Sequence, residues 1–598
     1  MMKYLKTVFI TAFSMAVIFS CYKSKLNEPA LGVLSAQAIA NKKGVDGLLI
    51  GAYSMLDGVA NPGSPGFVYA AGTSNWIFGS ICGSEAYKGS NGDDQSGITD
   101  IGNFAAGATS DYFEQKWAAV YEGVQRANTV LIIMRQAKDM TTADTIEVKA
   151  EALFLRAFYH FEAKKLWNKI PFVDESVTYD AGNYHIVNSA TWVYIENDLI
   201  YAMNNLPPVQ GNAAQGYAVG RANKYAAEAF LAKAYMFELK YAQAKPLLAD
   251  LIANGVTSNG LKYSLNNLYS DNFNIATKNS AESVFACQSS VNDGSGGNNG
   301  DVGDVLNFPV NSPVTGCCGF FPPSQYLVNH FKTDAVTGLP DLYNFNIKDV
   351  KNDDTLLSIG PFTPYTGTLD PRLDWTVGRA GIPYLDWGKD PGNGWIRAPA
   401  FFGPYVPKKN VYYKAQEATY SDSWNQETAM NINLVRFADI LLWAAETEVK
   451  IGTLNQAEAY VNMIRARAAN PAGFVHTYID DAHPENGFTN NPAANYFIKT
   501  YPPGYFAAQG PAYALKAVQY ERMLELGMEG HRFFDLVRWG IAATEINAYF
   551  LKEKKTRSIL NNAVFTPNKN EYFPIPQTEL DLSAGADGIR KMTQNPGY

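Results

Sequence analysis

The sequence predicts a mainly α fold: a scaffold of helical pairs that carries a large, irregular, loop-rich subdomain. Three observations predict it. Apolar residues recur at three- and four-residue steps over 110–254 and again over 430–598, the period of amphipathic helices. Small residues such as Ala226, Ala229 and Ala234 stand inside those stretches, where they let neighbouring helices approach closely. Between them, 255–429 turns to glycine, proline, asparagine and aromatics, with only short strand-like or helix-like pieces.

The chain opens with Lys3 and Lys6 before an apolar run over 8–19. That is the pattern of a secretory signal peptide, here 1–20, and it is too short to span a bilayer. Residues 21–34 read as an extended tether, because Pro29 disfavours helix. Leu48, Leu49, Ala52, Tyr53 and Leu56 then make a first amphipathic helix within 35–60. Residues 61–109 hold many glycines and little helical period, as a long functional loop does.

From Asp111 a stripe of Phe113, Trp117, Val120, Val124, Ala127, Leu131 and Met134 predicts a long helix, with Asp111 and Glu114 at its start. The next, over 145–167, is apolar on two sides, so it should lie sandwiched between others. Helices follow over 192–206, 224–239 and 241–254, with Pro246 a possible interruption. Such stacking resembles that of tetratricopeptide repeats, without an exact 34-residue period. After the irregular stretch, Phe437, Ile440, Leu441, Ala444 and Ala445 form a stripe that Gly452 ends. Thr453 and Gln456 then cap a facing helix carrying Leu454, Ala457, Val461, Ile464 and Ala468. Residues 470–513 read as another loop.

The stretch from Tyr520 to Gly540 orders the rest. Read as one helix, it places Arg522, Glu525, Glu529 and Arg532 along one face. Glu525 and Glu529 could be taken as the paired carboxylates of a glycosidase. A general acid needs a raised pKa, however, and arginines one turn away would keep both ionised. A structural ion-pair lattice between packed helices is the reading adopted.

Other chemistry is thinly represented. The formal net charge is −8, and no basic stripe points to nucleic acid. No nucleotide loop, dinucleotide fingerprint, nucleophile elbow or His-Glu-x-x-His motif appears, so no cofactor and no metal is expected. His531 reads as a packing residue. After Cys21 the cysteines are Cys82, Cys287, Cys317 and Cys318, which allow three disulfide connectivities in an exported protein and show no zinc spacing. The glycine-rich 292–304 does not match a calcium loop.

Several stretches together resemble the SusD/RagB family of nutrient-binding lipoproteins. They are Gly51-Ala52-Tyr53, the run Pro322 to Leu327, Asp370-Pro371-Arg372-Leu373, Ala445-Glu446 with Asn462 to Ala468, Glu521-Arg522 through Trp539-Gly540, Tyr572 to Pro576, and Gln594 to Tyr598. Ile18-Phe19-Ser20-Cys21 resembles a lipobox, with Cys21 as the lipidated first residue; Phe19 and the following Lys23 and Lys25 are departures from the usual pattern. The resemblance implies one SusD-like domain over 35–598, lipid-anchored at the outer membrane and facing outward. It implies a glycan ligand, passed to a SusC-like TonB-dependent transporter that the protein covers as a lid. A peptide ligand and a secreted helical glycan-processing enzyme are the alternatives.

Family members bind ligand on loops laid over the helices. Aromatic rings there would pack against the C–H faces of a sugar while amides and acids bond its hydroxyls. On that basis Trp76 and Tyr87 are expected as stacking platforms with Asn91 and Asp93 as hydroxyl partners. Phe320 and Phe321 are the second choice, Trp387 and Trp395 the third. The opposing reading is that each ring merely pins its loop down.

Overall fold

The structure, a computed structural model, describes residues 36–59, 68–177, 191–295, 299–314, 318–351, 363–422, 427–585 and 587–598. The leader, Cys21, the tether and Cys317 lie outside the described residues.

Helices α1 (Lys42–Ser54), α2 (Asp111–Met134), α3 (Thr142–Trp167), α4 (Thr191–Asn205), α5 (Lys224–Phe237) and α6 (Tyr241–Asn254) pack in sequence. α6 then meets α8 of a later set, which extends the stack. That set is α8 (Phe437–Ile451), α9 (Leu454–Ala468), α10 (Pro511–Leu526), α11 (Arg532–Arg538) and α12 (Ala542–Glu553), while the short α7 (Gln325–His330) packs on α10 and α12. This is the predicted mainly α scaffold of helical pairs.

α3 lies sandwiched, as its two apolar stripes require: every residue from Ala150 to Trp167 is buried. It begins three residues earlier than the apolar period alone suggests, because Thr141 and Asp144 close a capping box on its first turn. Pro246 sits inside α6 without ending it. The irregular stretch contributes β1 (Ser283–Cys287), which pairs antiparallel with β2 (Ile432–Arg436), directly before α8. Most of the remaining insertion is turns and short helical pieces around a second apolar core of its own.

Two expectations are corrected. Residues 520–540 are not one helix: α10 stops at Leu526, Met528 and Gly530 take positive φ, and α11 starts at Arg532. Glu529 therefore stands in a turn. Nor is 61–109 without helix, since Trp76–Ile81 forms a buried helical turn and Ser96–Gly102 a short helix. The buried turn owes its place to packing against α11. A Cβ on Gly79 would lie 1.9 Å from the carbonyl oxygen of Gly530, an approach that only glycine permits.

Candidate functional site

A buried lattice of charges holds the insertion on the helices. Glu282, Asp370, Glu521, Glu525 and Glu529 meet Arg372, Arg436, Arg465, Arg467 and Lys409. Arg372 bonds Glu521 at 2.7 Å and Glu525 at 3.0 Å. Arg436 reaches Glu282 at 2.8 Å and Glu529 at 2.9 Å, and also pairs with Glu525, as does Arg467. Lys409 closes the lattice on Glu529 at 2.7 Å.

The lattice predicted from the sequence exists, but its partners differ. Because the helix breaks after Leu526, Arg522 turns instead to Asp439 and Asp535, and Arg532 approaches Glu545. Burial works to raise the Glu525 carboxyl, yet Arg467, Arg436 and Arg372 hold it well below the usual carboxylate range. Burial also opposes ionisation of Glu529, which Arg436 and Lys409 bring down to about 2. Neither carboxyl can donate a proton at neutral pH, which is what a glycosidase acid must do. His531 is driven down to about 4, chiefly by burial.

The two loop regions singled out in the sequence come together. Residues 85–90 run beside 319–324 as an irregular antiparallel ribbon: Tyr87 N donates to the Pro322 carbonyl, Phe321 N to that of Lys88, and Ser324 N to that of Glu85, all at 2.9 Å. The Trp76 ring lies 5.6 Å from Phe321 and 6.4 Å from Phe320, and its Nε1 donates to the Gly303 carbonyl at 3.1 Å. Tyr87 gives its hydroxyl proton to Glu553. All four rings are buried. Trp387 and Trp395 are buried too, in the insertion's own core, where Trp387 Nε1 donates to the Tyr412 carbonyl at 2.8 Å. In this structure the six rings hold loops together.

Asn91 and Asp93 lie on the outside of the ribbon, both exposed. Asn91 Oδ1 accepts from the backbone N–H of Asp93 and, at 2.8 Å, of Asp94, which shapes a tight turn. Lys88 props this turn from beneath, donating to the carbonyls of Asn91 and Asp94. Its ammonium lies 5.4 Å from the Phe320 ring centroid and 5.6 Å from that of Phe402. Burial lowers the Lys88 pKa to about 8. Arg397 Nη1 donates to Ser90 Oγ at 3.0 Å, and that hydroxyl donates to Asp94 at 2.7 Å. Next to Phe402, Phe401 is 41% exposed.

The outer side of the ribbon presents an exposed amide and carboxylate and a partly exposed Arg397–Asp94 pair, and Phe401 is exposed beside the Phe402 ring that packs on Lys88. The sequence reading names Asn91 and Asp93 as hydroxyl partners and does not name Ser90, Asp94, Arg397 or Phe401. Phe401 carries the same signal as the rings that were chosen, an aromatic in a proline- and glycine-rich stretch. Which ring in such a stretch faces outward is set by tertiary packing. Cys82 and Cys287 are buried free thiols and Cys318 is disulfide-bonded. Among the described residues, no cluster of three or more His, Cys, Asp or Glu is arranged to hold a metal.

The model of the SusD family matches residues 281–598, more than half of the chain and all of the lattice. The chain belongs to the SusD family. A second family model, described as starch-binding associating with outer membrane, matches residues 73–236. Two SusD-like proteins of Formosa agariphila, P25 and P2, are 22% and 23% identical over 81% and 83% of this chain and the same shares of their own. Among solved SusD-like structures, a laminarin binding SusD-like protein shares 22% identity and a TM-score of 0.63 over 93% of this chain and 100% of its own. Surface glycan-binding protein A from Bacteroides thetaiotaomicron, in complex with laminarihexaose, shares 19% and 0.62 over 92% and 99%. At these identities the solved structures show a common SusD fold. No helix among the described residues is long and apolar enough to cross a membrane.

Proposed function

We propose that this SusD-family chain is an outer-membrane lipoprotein that binds a glycan at the cell surface and delivers it to a SusC-like TonB-dependent transporter, which it covers as a lid. The observation that carries the binding role is the rim on the 85–94 ribbon. Asn91 Nδ2 and the Asp93 carboxylate make no hydrogen bond to a described residue, and Phe401 is exposed beside Phe402, whose ring the Lys88 ammonium approaches. An amide donor, a carboxylate acceptor and an apolar plate are what a sugar's hydroxyls and C–H face require. The laminarin and laminarihexaose named for two relatives make β-glucans the first ligands to try. Trp76, Tyr87, Phe320, Phe321, Trp387 and Trp395 support the reading by giving the loops a fixed shape.

Calorimetry against a glycan panel that includes laminarihexaose tests this. Phe401→Ala should weaken binding by about 1 kcal/mol, roughly fivefold. Trp76→Ala should instead lower the melting temperature, because it empties a buried volume at a cost of about 3 kcal/mol or more. Absence of binding to every glycan, or full affinity in Phe401→Ala, would remove the rim from the account. Cleavage of the panel by the wild type would restore the enzyme reading.

Anchoring rests on Cys21. Labelled fatty acid should enter the wild type and not Cys21→Ala, which should leave the membrane fraction; label retained by the variant would overturn the anchor. Several acyl chains at about 0.8 kcal/mol per buried methylene give durable attachment.

A further inference from the structure

The chain contains six Asn-Gly pairs, and the fold leaves one of them open to chemistry that it blocks in the others. A glycine has no side chain to keep its backbone nitrogen from the Cγ of the asparagine before it. In Asn254-Gly255, Asn259-Gly260 and Asn486-Gly487, the glycine N–H is spent on a backbone carbonyl at 3.0, 2.9 and 3.1 Å. Asn299 holds its amide nitrogen to Asp293 at 2.8 Å and to Ser295 at 2.9 Å, beside a buried glycine. Asn393-Gly394 lies inside the helical turn Gly392–Trp395, where the backbone N–H groups point along the axis. Asn91 and Gly92 are both exposed, and neither the Gly92 N–H nor Asn91 Nδ2 bonds a described residue. We infer that Asn91 is a self-modifying site: the Gly92 nitrogen closes on Asn91 Cγ to form a succinimide, which water opens to isoaspartate or aspartate.

Two features of the turn promote ring closure. Asn91 Oδ1 accepts from the N–H groups of Asp93 at 3.2 Å and Asp94 at 2.8 Å. That oxygen becomes the oxyanion when a nitrogen adds to Cγ, so the two donors already face the developing charge. Lys88 donates to the Asn91 carbonyl. The C=O and N–H of one peptide share a resonance system, so a cation on the oxygen makes the Gly92 N–H more acidic. Both reacting atoms are held in one fixed turn, which lowers the entropy cost of bringing them together. In the first step the bond from Gly92 N to Asn91 Cγ forms and the Gly92 proton passes to solvent. The bond from Cγ to Nδ2 breaks, and the nitrogen leaves as ammonia with a proton from solvent. Water then adds to one ring carbonyl: the side-chain carbonyl gives aspartate, the main-chain carbonyl isoaspartate. Either product puts a carboxylate where the rim had an amide donor, beside Asp93 and Asp94. Isoaspartate also routes the main chain through the side-chain methylene, which takes Oδ1 from its two donors. None of this depends on what the rim binds.

The test ages the full chain in isotopically labelled water at mildly alkaline pH, once folded and once in guanidinium chloride, and follows all six pairs by peptide mapping with isoaspartate detection. Unfolded, the six pairs report the intrinsic rate of the dipeptide. In the folded chain Asn91 should convert about tenfold faster than the other five and at least as fast as it does unfolded, with the label in both products. Lys88→Met, checked for folding by its melting temperature, should slow the folded rate severalfold. Gly92→Ala should stop the conversion without harm to the fold, since Gly92 does not take positive φ and a Cβ there meets nothing within 4 Å. Slower conversion of Asn91 in the folded chain than in the unfolded one would overturn the inference. So would a folded rate unchanged in Lys88→Met, products without label, or conversion that persists in Gly92→Ala. If Lys88→Met does not fold, the comparison of folded with unfolded wild type decides alone.

Discussion

Glu525 shows how a carboxylate can be fully buried and still ionised: three arginines from three different segments converge on it. Removing one partner of such a set leaves the others as uncompensated buried charge, which costs about 3–5 kcal/mol. Glu525→Gln should therefore lower the free energy of unfolding in denaturant by about that amount, although it changes one atom; a loss under 1 kcal/mol would mean that the lattice has little net worth. The pH dependence follows with a definite sign. Glu529 and Asp535 both titrate near 2 in the folded chain because cations outweigh the opposing effect of burial, below the ordinary values near 4. The stability they confer is present above about pH 4 and is lost as pH falls from there toward 2, where the folded state must also take up the protons. Acid titration of the melting temperature checks this, and a curve flat from pH 4 to pH 2 would refute it. The charged residues of this set were legible in the sequence because their spacing stood out. Their partners were not, since Arg372 and Arg436 lie 153 and 89 positions from Glu525 and nothing local connects them. The same limit explains the aromatics. Composition says that a ring sits in a loop, while only the packed structure says that Trp76 faces inward and Phe401 outward.

Helices with a continuous apolar stripe were the readable elements. The period over 111–134 and over 241–254 gave both helices to the residue, and capping at Thr453, whose hydroxyl accepts from the Gln456 N–H, set the start of α9. Failures fall where local signals oppose or say nothing. The periodic residues from 520 to 540 run through Gly527 and Gly530 as though unbroken, yet the helix stops there and Glu529, in the turn, faces Arg436. The turn Trp76–Ile81 has no amphipathic period because it is buried on all sides, by α11 among others. That turn meets the segment leading into α11 backbone to backbone at Gly79 and Gly530, where no side chain can yield. Gly79→Ala should force the two elements apart and destabilise the protein by about 3 kcal/mol. Hydrogen exchange should then rise in 76–81 and in 532–538 together. A stable variant with unchanged exchange in both would show that the contact is slack.

At the scale of the whole molecule, the question is whether scaffold and insertion fold as one. The insertion has its own apolar core around Tyr384, Trp387, Trp395 and Tyr412, which by itself would favour a separate unit. The charge lattice argues the other way. Glu282, Asp370, Arg372 and Lys409 come from the insertion or its edge, whereas Arg436, Arg465, Arg467, Glu521 and Glu525 come from β2, α9 and α10. Lifting the insertion away would part Glu282 from Arg436 and Arg467, Arg372 from Glu521 and Glu525, and Lys409 from Glu529, leaving Glu282 and Lys409 without a lattice partner at a cost of several kcal/mol. The β1–β2 pairing adds a second link, since one strand begins the insertion and the other leads directly into α8. An intermediate with the scaffold folded and the insertion detached is therefore too costly to populate at neutral pH. Calorimetric unfolding should show one transition, with van't Hoff and calorimetric enthalpies equal. Protonation of Glu529, which titrates near 2, weakens its bond to Lys409 and so the link, and near pH 2 the single transition should begin to separate into two, the insertion melting first. Two transitions already present at neutral pH would show that the insertion is held by its own core alone and that the lattice does not couple it to the helices.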